Sequence, residues 1–261
     1  MKLLVCIKQV PSGSVPTDGA GNLDRSQGGS QLNPGDFYAV EAALELAEAF
    51  HGSVTALSMG PPSAEAVLRT AVSMGAAEGV LLSDRAFAGA DVYATARTLA
   101  QGIRSLGTFD LIICGQQTTD GDTAQLPFSL AAQLELPALG WVKKLELQQE
   151  RLSVLQELSG GTQRAVCPVP CLLAVGQEIG RPRIPSLRDQ LRARSSKIRH
   201  LSLEDLPDRD PTHYGLAASP TRVVSVRDIE KKPRHSPLSL SGRDGAERLL
   251  SLVREVGSGE A

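Results

Sequence analysis

The stretch Leu111-Ile112-Ile113-Cys114-Gly115-Gln116-Gln117-Thr118-Thr119-Asp120-Gly121-Asp122-Thr123-Ala124-Gln125-Leu126 decides the fold. It opens on a short, wholly apolar run that reads as a strand covered on both faces. A polar loop holding two glycines follows, and then Leu126, Leu130 and Leu134 recur at helical spacing, which predicts a helix beginning near Thr123. Pro127 is tolerated there because it falls in the first turn. Strand, polar loop and helix in that order make half of a parallel βαβ unit.

The same alternation extends upstream. Leu3 to Ile7, Val54 to Met59 and Val80 to Leu82 read as further buried strands. Between the first two, Asn33 is placed as N-cap, Pro34 at the first helical position and Asp36 in the first turn of a helix that carries Val40, Ala43, Leu44, Ala47 and Phe50 and stops at Gly52. A second helix is expected from Ser63 to Met74 with Gly75 as terminator, and a third from Asp91 to Leu106 before Gly107. Downstream the period changes. Val142 to Leu147, Leu152 to Leu158 and Arg164 to Val166, with Ser159-Gly160-Gly161 as a turn, predict antiparallel strands at one edge, and Cys171 to Val175 returns to a buried strand. The expected fold class is α/β, a doubly wound, mainly parallel sheet flanked by helices, with a small antiparallel edge and an extended C-terminal arm.

Beyond Gly180 the chain is rich in proline and arginine. Apart from Thr221 to Val226 and a last helix from Gly245 to Val256, it offers little to a core, so it is expected to lie against something else. The expected division is therefore an α/β domain over 1–180 and an arm over 181–261. With 261 residues, 41% hydrophobic and 21% charged, the chain is long enough for a substantial core and too apolar for wholesale disorder. Its 27 basic against 29 acidic residues give a net charge of -2, so no global attraction draws it to nucleic acid or anionic membrane. No apolar run is long enough for a signal peptide or a membrane span, and a cytoplasmic protein is expected.

The loop from Gly115 to Leu126 leaves the carboxyl end of a parallel strand, where open α/β sheets bind ligands. Its glycines let backbone approach a ligand, the helix start offers unpaired N–H groups to phosphate, and its Thr and Gln side chains add neutral donors and acceptors. The carboxylates of Asp120 and Asp122 suit ribose hydroxyls or a helix N-cap. On composition alone this loop is equally compatible with a capped surface turn. Neither G-x-G-x-x-G nor G-x-x-x-x-G-K-[ST] occurs, which disfavours an ordinary dinucleotide-binding dehydrogenase domain and a P-loop NTPase. Cys167-Pro-Val-Pro-Cys171 fits no common zinc spacing, and Cys6 and Cys114 sit within strands as small hydrophobes, so no metal is expected. His51, His200, His213 and His235 form no triad. Trp141 is expected to pack in the core or at an edge.

Arg181, Arg183, Arg188, Arg192, Arg194, Lys197 and Arg199 form the largest local charge asymmetry, with only Asp189 opposing them. Such a run is usually a solvated face. Ile184, Leu187 and Leu191 embedded in it favour a protein partner, since an exposed leucine anchors a protein contact and adds little to phosphate binding. RNA binding is disfavoured because stacking aromatics are missing.

Five ordered motifs resemble those of one family: Cys6-Ile7-Lys8-Gln9-Val10-Pro11, Asn33-Pro34-Gly35-Asp36, Ser58-Met59-Gly60-Pro61-Pro62-Ser63-Ala64-Glu65, Asp120-Gly121-Asp122-Thr123-Ala124-Gln125, and Pro182-Arg183-Ile184-Pro185-Ser186-Leu187. They span essentially the whole chain and resemble the β (small) subunit of electron transfer flavoprotein. The resemblance implies an electron carrier subunit rather than a stand-alone enzyme. It implies an obligate heterodimer with an α subunit that holds the electron-carrying FAD, and a β-subunit site for a second adenine nucleotide, FAD or AMP. Carried over, that nucleotide would touch Cys6, Asn33, Pro34, Gly35, Asp36, Met59, Gly115, Gln116, Gln117, Thr118, Thr119, Asp120, Gly121, Asp122, Thr123, Ala124, Gln125 and Leu126. Ile184, Leu187, Arg188, Leu191 and Arg192 would dock an acyl-CoA dehydrogenase or a similar flavin dehydrogenase.

Within the family the chain looks more like the class of anaerobic acyl-CoA systems, in which the β site holds FAD that accepts hydride from NADH. It departs from that class at Gln116 in place of Arg, at Thr118-Thr119 in place of Ala-Ile and at Leu126-Pro127 in place of Val-Gly. A regulatory adenine-nucleotide sensor is the competing reading. A self-contained sensor has no use for a leucine-bearing basic loop and a long extension.

Overall fold

The computed structural model describes residues 1–13, 29–148, 151–224 and 242–257. They fall into two units, Met1–Val226 and Arg227–Ala261. The first is built on a nine-stranded sheet, to which the chain contributes β1 (Lys2–Cys6), β4 (Ser53–Met59), β5 (Glu78–Leu82), β6 (Leu111–Gly115), β7 (Ala138–Gln148), β8 (Arg151–Leu158), β9 (Gly161–Pro168), β10 (Cys171–Val175) and β11 (Arg199–Leu201). A separate antiparallel ribbon pairs β2 (Gln9–Pro11) with β3 (Ser30–Leu32).

The spatial order is β11-β5-β4-β1-β6-β10-β7-β8-β9. All neighbours from β11 to β7 run parallel, and β7-β8-β9 are antiparallel. β8 and β9 are joined across Ser159-Gly160, with Leu158 opposite Gly161, as the turn signal predicts. Helices α1 (Pro34–Ala49) and α2 (Glu65–Met74) cover one face, while α3 (Val92–Leu106) and α4 (Leu126–Leu134) cover the other. Alternate residues of β1 divide accordingly, Leu3 and Val5 into one buried cluster, Leu4 and Cys6 into the other. The expected doubly wound α/β class is what the chain adopts.

Several local expectations are corrected. The fourth helix begins at Leu126, not near Thr123, because Asp122 and Ala124 hold φ of 47° and 52°, which no right-handed helix accommodates. The first helix stops through His51 at φ 48°, and Gly52 serves a different purpose, since a Cβ there would lie 2.4 Å from the Met1 carbonyl oxygen. Trp141 is 45% exposed at φ 53°, on an irregularity of β7, so it is not a packed residue.

The segment beyond Gly180 gives more to the core than its composition suggests. α5 (Leu187–Ser195) packs on α2, β11 zips onto β5, and Ile198, Leu201, Leu206 and Tyr214 are buried. The run Thr221 to Val226 does not behave as core: Val223 and Val224 are exposed, and residues 225 and 226 lie outside the described residues. In the second unit, α6 (Gly242–Gly257) confirms the last predicted helix, carrying exposed Leu249, Leu250, Leu252 and Val253. Among the described residues no helix is long and apolar enough to cross a membrane.

Candidate functional site

From β1 the chain winds outward through α1 to β4 and through α2 to β5, then returns by α3 to β6 on the opposite side of β1. β1 and β6 therefore flank the point at which the winding reverses, and the crevice at their carboxyl ends is where an open sheet takes a ligand. Three segments meet there: the end of β1 with Lys8, the start of α1, and the loop after β6.

A continuous hydrogen-bond network ties them. Asn33, fully buried, stands at the N-cap position of α1, yet its side chain does not cap that helix. Its amide nitrogen donates to Asp36 Oδ1 at 2.9 Å and to the Gln117 carbonyl at 3.0 Å, and its oxygen accepts from the Thr119 N–H at 3.2 Å. Asp36 Oδ2 accepts from the Lys8 N–H at 2.7 Å, and Lys8 Nζ reaches Asp120 Oδ1 at 2.7 Å. Burial pushes the Asp36 carboxyl up to about 7, against the opposing effect of these donors. Asp120 thus serves Lys8 and not a helix cap; the N-cap position of α4 is Gln125, which makes no side-chain cap bond.

Glycine is required at the seam. A Cβ on Gly115 would lie 2.4 Å from Asp36 Oδ1, and one on Gly35 would lie 3.1 Å from the Gln117 carbonyl oxygen. Beneath them Cys6 and Cys114 are register partners on β1 and β6. The Cys114 thiol is held well above its ordinary pKa by the Cys6 sulfur and by burial; both side chains are buried fillers.

Of the residues singled out from sequence, Cys6, Asn33 to Asp36 and Gly115 to Asp120 are brought together here. Gly121 to Leu126 form the outer arm of the loop, mostly exposed, and Met59 ends β4 on the same rim of the sheet. Gln116 is 5% exposed; its Oε1 accepts from the Trp141 N–H at 2.6 Å, while its Nε2 has no partner among the described residues. Ser58 Oγ, on the same rim, is also buried and unpartnered. The backbone N–H groups of Gly121, Thr123, Ala124 and Leu126 likewise donate to nothing among the described residues.

Sequence reasoning missed Lys8 as a working residue, although it lies inside a quoted motif; neither of its partners is near it in the chain. Arg183 was read as part of a solvated basic run, but it binds Glu41 and Glu48 on α1. Ile184, Leu187, Arg188, Leu191 and Arg192 are all exposed on one short segment.

Residues 21–206 match the electron transfer flavoprotein domain model. The chain belongs to the electron transfer flavoprotein family. It is 41% identical over 229 residues to the electron transfer flavoprotein subunit beta of Thermoanaerobacterium thermosaccharolyticum, covering 87% of each chain. It is 37% identical over 262 residues to protein FixA of Bradyrhizobium diazoefficiens, covering 97% of this chain and 91% of that one. Identity to the caffeyl-CoA reductase-Etf complex subunit CarD of Acetobacterium woodii is 39% over 226 residues, 85% and 86% of the two chains. Two of these relatives are thus named as an electron transfer flavoprotein subunit beta and as a subunit of a reductase-Etf complex.

Proposed function

We propose that this chain is the β subunit of a heterodimeric electron transfer flavoprotein, holds FAD or AMP in the crevice between β1 and β6, and docks an acyl-CoA dehydrogenase or similar flavin dehydrogenase through residues 184–192. The last helix of its C-terminal arm, α6, packs its exposed leucines on the α subunit. The observation that carries the nucleotide reading is the loop after β6: two non-glycine residues at positive φ, a base tied down by Asn33, and unused donors along its length. Strain of about 1–3 kcal/mol per such residue persists where the surroundings impose it, typically around a ligand.

The residues fit an adenine nucleotide. Gly35 and Gly115 keep the floor of the crevice low, the N–H groups of Gly121, Thr123, Ala124 and Leu126 suit phosphate oxygens, and Gln116 Nε2 and Ser58 Oγ offer neutral bonds to base or ribose. Lys8 neutralises the Asp120 carboxylate that would otherwise repel phosphate. A flavin, when bound, supplies the electron-accepting chemistry, and the chain supplies placement and electrostatics. No side chain need act as acid, base or nucleophile, consistent with Lys8, Asn33, Asp36 and Asp120 at the seam being spent on each other.

The testing experiment is to co-express this chain with its α subunit, denature the purified complex and quantify released FAD and AMP per heterodimer by chromatography. Two FAD, or one FAD with one AMP, supports the reading and assigns the class within the family. One FAD without a second nucleotide overturns the crevice assignment, and no flavin at all returns the chain to the sensor reading.

A further inference from the structure

The segment after Gly180 carries the most exposed apolar side chains of the first unit outside its end, with Ile184 93% and Leu187 71% exposed and Leu191 beside them. Side chains displayed in this way on a loose segment would have to be ordered when a partner binds, at a cost in affinity. Here both flanks are pinned. On the entry side Arg183 donates from its backbone N–H to Glu41 Oε2 at 2.8 Å, from Nε to both Glu41 oxygens at 3.0 Å, from Nη2 to Oε1 at 2.9 Å, and from Nη1 to Glu48 at 2.5 Å. Pro182 and Pro185 fix φ on either side of it.

On the exit side Arg69 of α2 donates from Nη1 to the carbonyls of Ala193, Arg194 and Ser196, at 3.1, 3.0 and 2.7 Å, satisfying the open end of α5. Its Nη2 is held by Glu65 at 2.8 Å. Ala193 and Ile198 are buried beneath this clasp. Ser186 Oγ accepts from the Asp189 N–H and so caps the start of α5. Residues 184–192 therefore form an arch fixed at both feet.

The Glu41 carboxylate is 6% exposed. Burying such a charge costs desolvation that the pairing roughly repays, so an apolar pair of similar volume would hold α1 about as well. What an apolar pair would not supply is direction, because a guanidinium fork on a carboxylate fixes position and angle together.

We propose that Glu41, through Arg183, and Arg69, through the end of α5, are positioning residues that hold 184–192 in the conformation that meets its partner. This rests on the reading of that segment as the docking surface. The partner surface that fits is an apolar hollow for Ile184 and Leu187, bordered by carboxylates facing Arg188 and Arg192.

The test uses the heterodimer with its α subunit and, as donor, whichever of a short-, medium- and long-chain acyl-CoA dehydrogenase reduces the wild type fastest. Glu41→Gln, Arg183→Lys and Arg69→Gln are compared with Leu187→Ala, reading KM and kcat for the donor and hydrogen exchange of the amides of 186–195. The anchor variants are expected to raise KM for the donor about tenfold, the factor that ordering one or two side chains represents. They should speed exchange in the arch and leave kcat at saturating donor within about twofold. Leu187→Ala is expected to raise KM with exchange unchanged.

Faster exchange with unchanged KM in the anchor variants, while Leu187→Ala raises KM, overturns the positioning role and leaves the docking reading standing. Unchanged KM in Leu187→Ala overturns the docking reading itself. Unchanged exchange in Arg183→Lys, which keeps the charge and loses the fork, overturns the proposal even where Glu41→Gln does not fold.

Discussion

Replacing Gly115 with alanine tests the seam on which the site is built. The added Cβ would lie 2.4 Å from Asp36 Oδ1, 3.1 Å from the Gly35 carbonyl carbon and 3.2 Å from the Asp36 nitrogen. Ordinary contacts of this kind are about 3.5 Å, so the carboxylate must retreat by about 1 Å and the backbone of α1 by a few tenths. Asp36 has nowhere to go. Its oxygens hold the Asn33 amide at 2.9 Å and the Lys8 N–H at 2.7 Å, and a retreat of that size breaks one of them. A lost bond to a charged acceptor costs about 1.5–3 kcal/mol, and overpacking adds about 1–3 kcal/mol. Taking about 2.5 kcal/mol as the lower end of the sum, and about 2–4 °C per kcal/mol for a chain of this size, the expected fall in Tm is about 5–10 °C. Asn33 also holds the loop at Gln117 and Thr119, so bound adenine nucleotide should fall with it. The assay is thermal unfolding of the heterodimer followed by circular dichroism, alongside nucleotide content. Gly160→Ala is the control, because a Cβ there meets nothing within 4 Å. A drop below 2 °C on the scale just given, with nucleotide content intact, would refute the steric argument.

Three further perturbations follow from the same structure. Asp36 has its carboxyl pushed up to about 7 by burial, from an unfolded value of 3.8. The native state therefore holds that proton more tightly than the unfolded chain, and the stability it lends below about pH 4 is lost as pH rises through about 7. Urea unfolding at pH 5 to 8 should show the wild type losing stability relative to Asp36→Asn as pH rises; a difference flat with pH contradicts it. Gln116→Leu removes the acceptor of the Trp141 backbone N–H, at about 1–2 kcal/mol, and by releasing the backbone that sets the side chain's exposure should shift the emission of the chain's one tryptophan; an unaltered spectrum and unchanged urea midpoint count against this role. Gly215→Ala places a Cβ 2.2 Å from the Ala86 carbonyl oxygen at φ 56°, so residues 203–221 should loosen and trypsin should cut at exposed Arg209 faster than in wild type. Equal cleavage rates would show that the backbone there can yield.

Where the sequence was legible, the signal was local. Apolar runs such as Leu111 to Cys114 and Cys171 to Val175 announce buried parallel strands because both faces must be covered, and Gly75 and Gly107 end helices at φ 135° and 108° as their position implies. β11 was illegible because a three-residue edge strand with only Leu201 buried carries no periodicity, and its polar character is how an edge is protected. The start of α4 was misplaced because nothing in Asp122-Thr123-Ala124 signals a left-handed backbone. Trp141 was misjudged because its exposure depends on a β7 irregularity held by Gln116, a residue on another strand's loop. Its place at the carboxyl end of a parallel strand marks the loop after β6 as a site, whereas Cys6, Asn33 and Asp36 join it in the sequence only through the family resemblance, and in the fold because β1, β6 and the start of α1 meet on one rim. The long-range ion pairs, Lys8 with Asp120 and Arg183 with Glu41, could not be read, since charge alone does not say which of many partners a side chain meets.

The order in which the sheet is assembled differs from the order in which a ribosome delivers it. β5 emerges early, yet the edge it presents is covered only by β11, after β10, the arch and α5 have all been made. A nascent chain arrested before Leu201 bears the open, apolar edge Gly79-Val80-Leu81-Leu82, a surface that invites mispairing and chaperone capture. The arch at 184–192 lies between β10 and β11, and its exit foot, α5, packs on α2 just before the chain turns into the strand that closes that edge. On the proposed reading, the docking arch is therefore among the last parts of this unit to be made, completed just before the strand that seals the exposed edge.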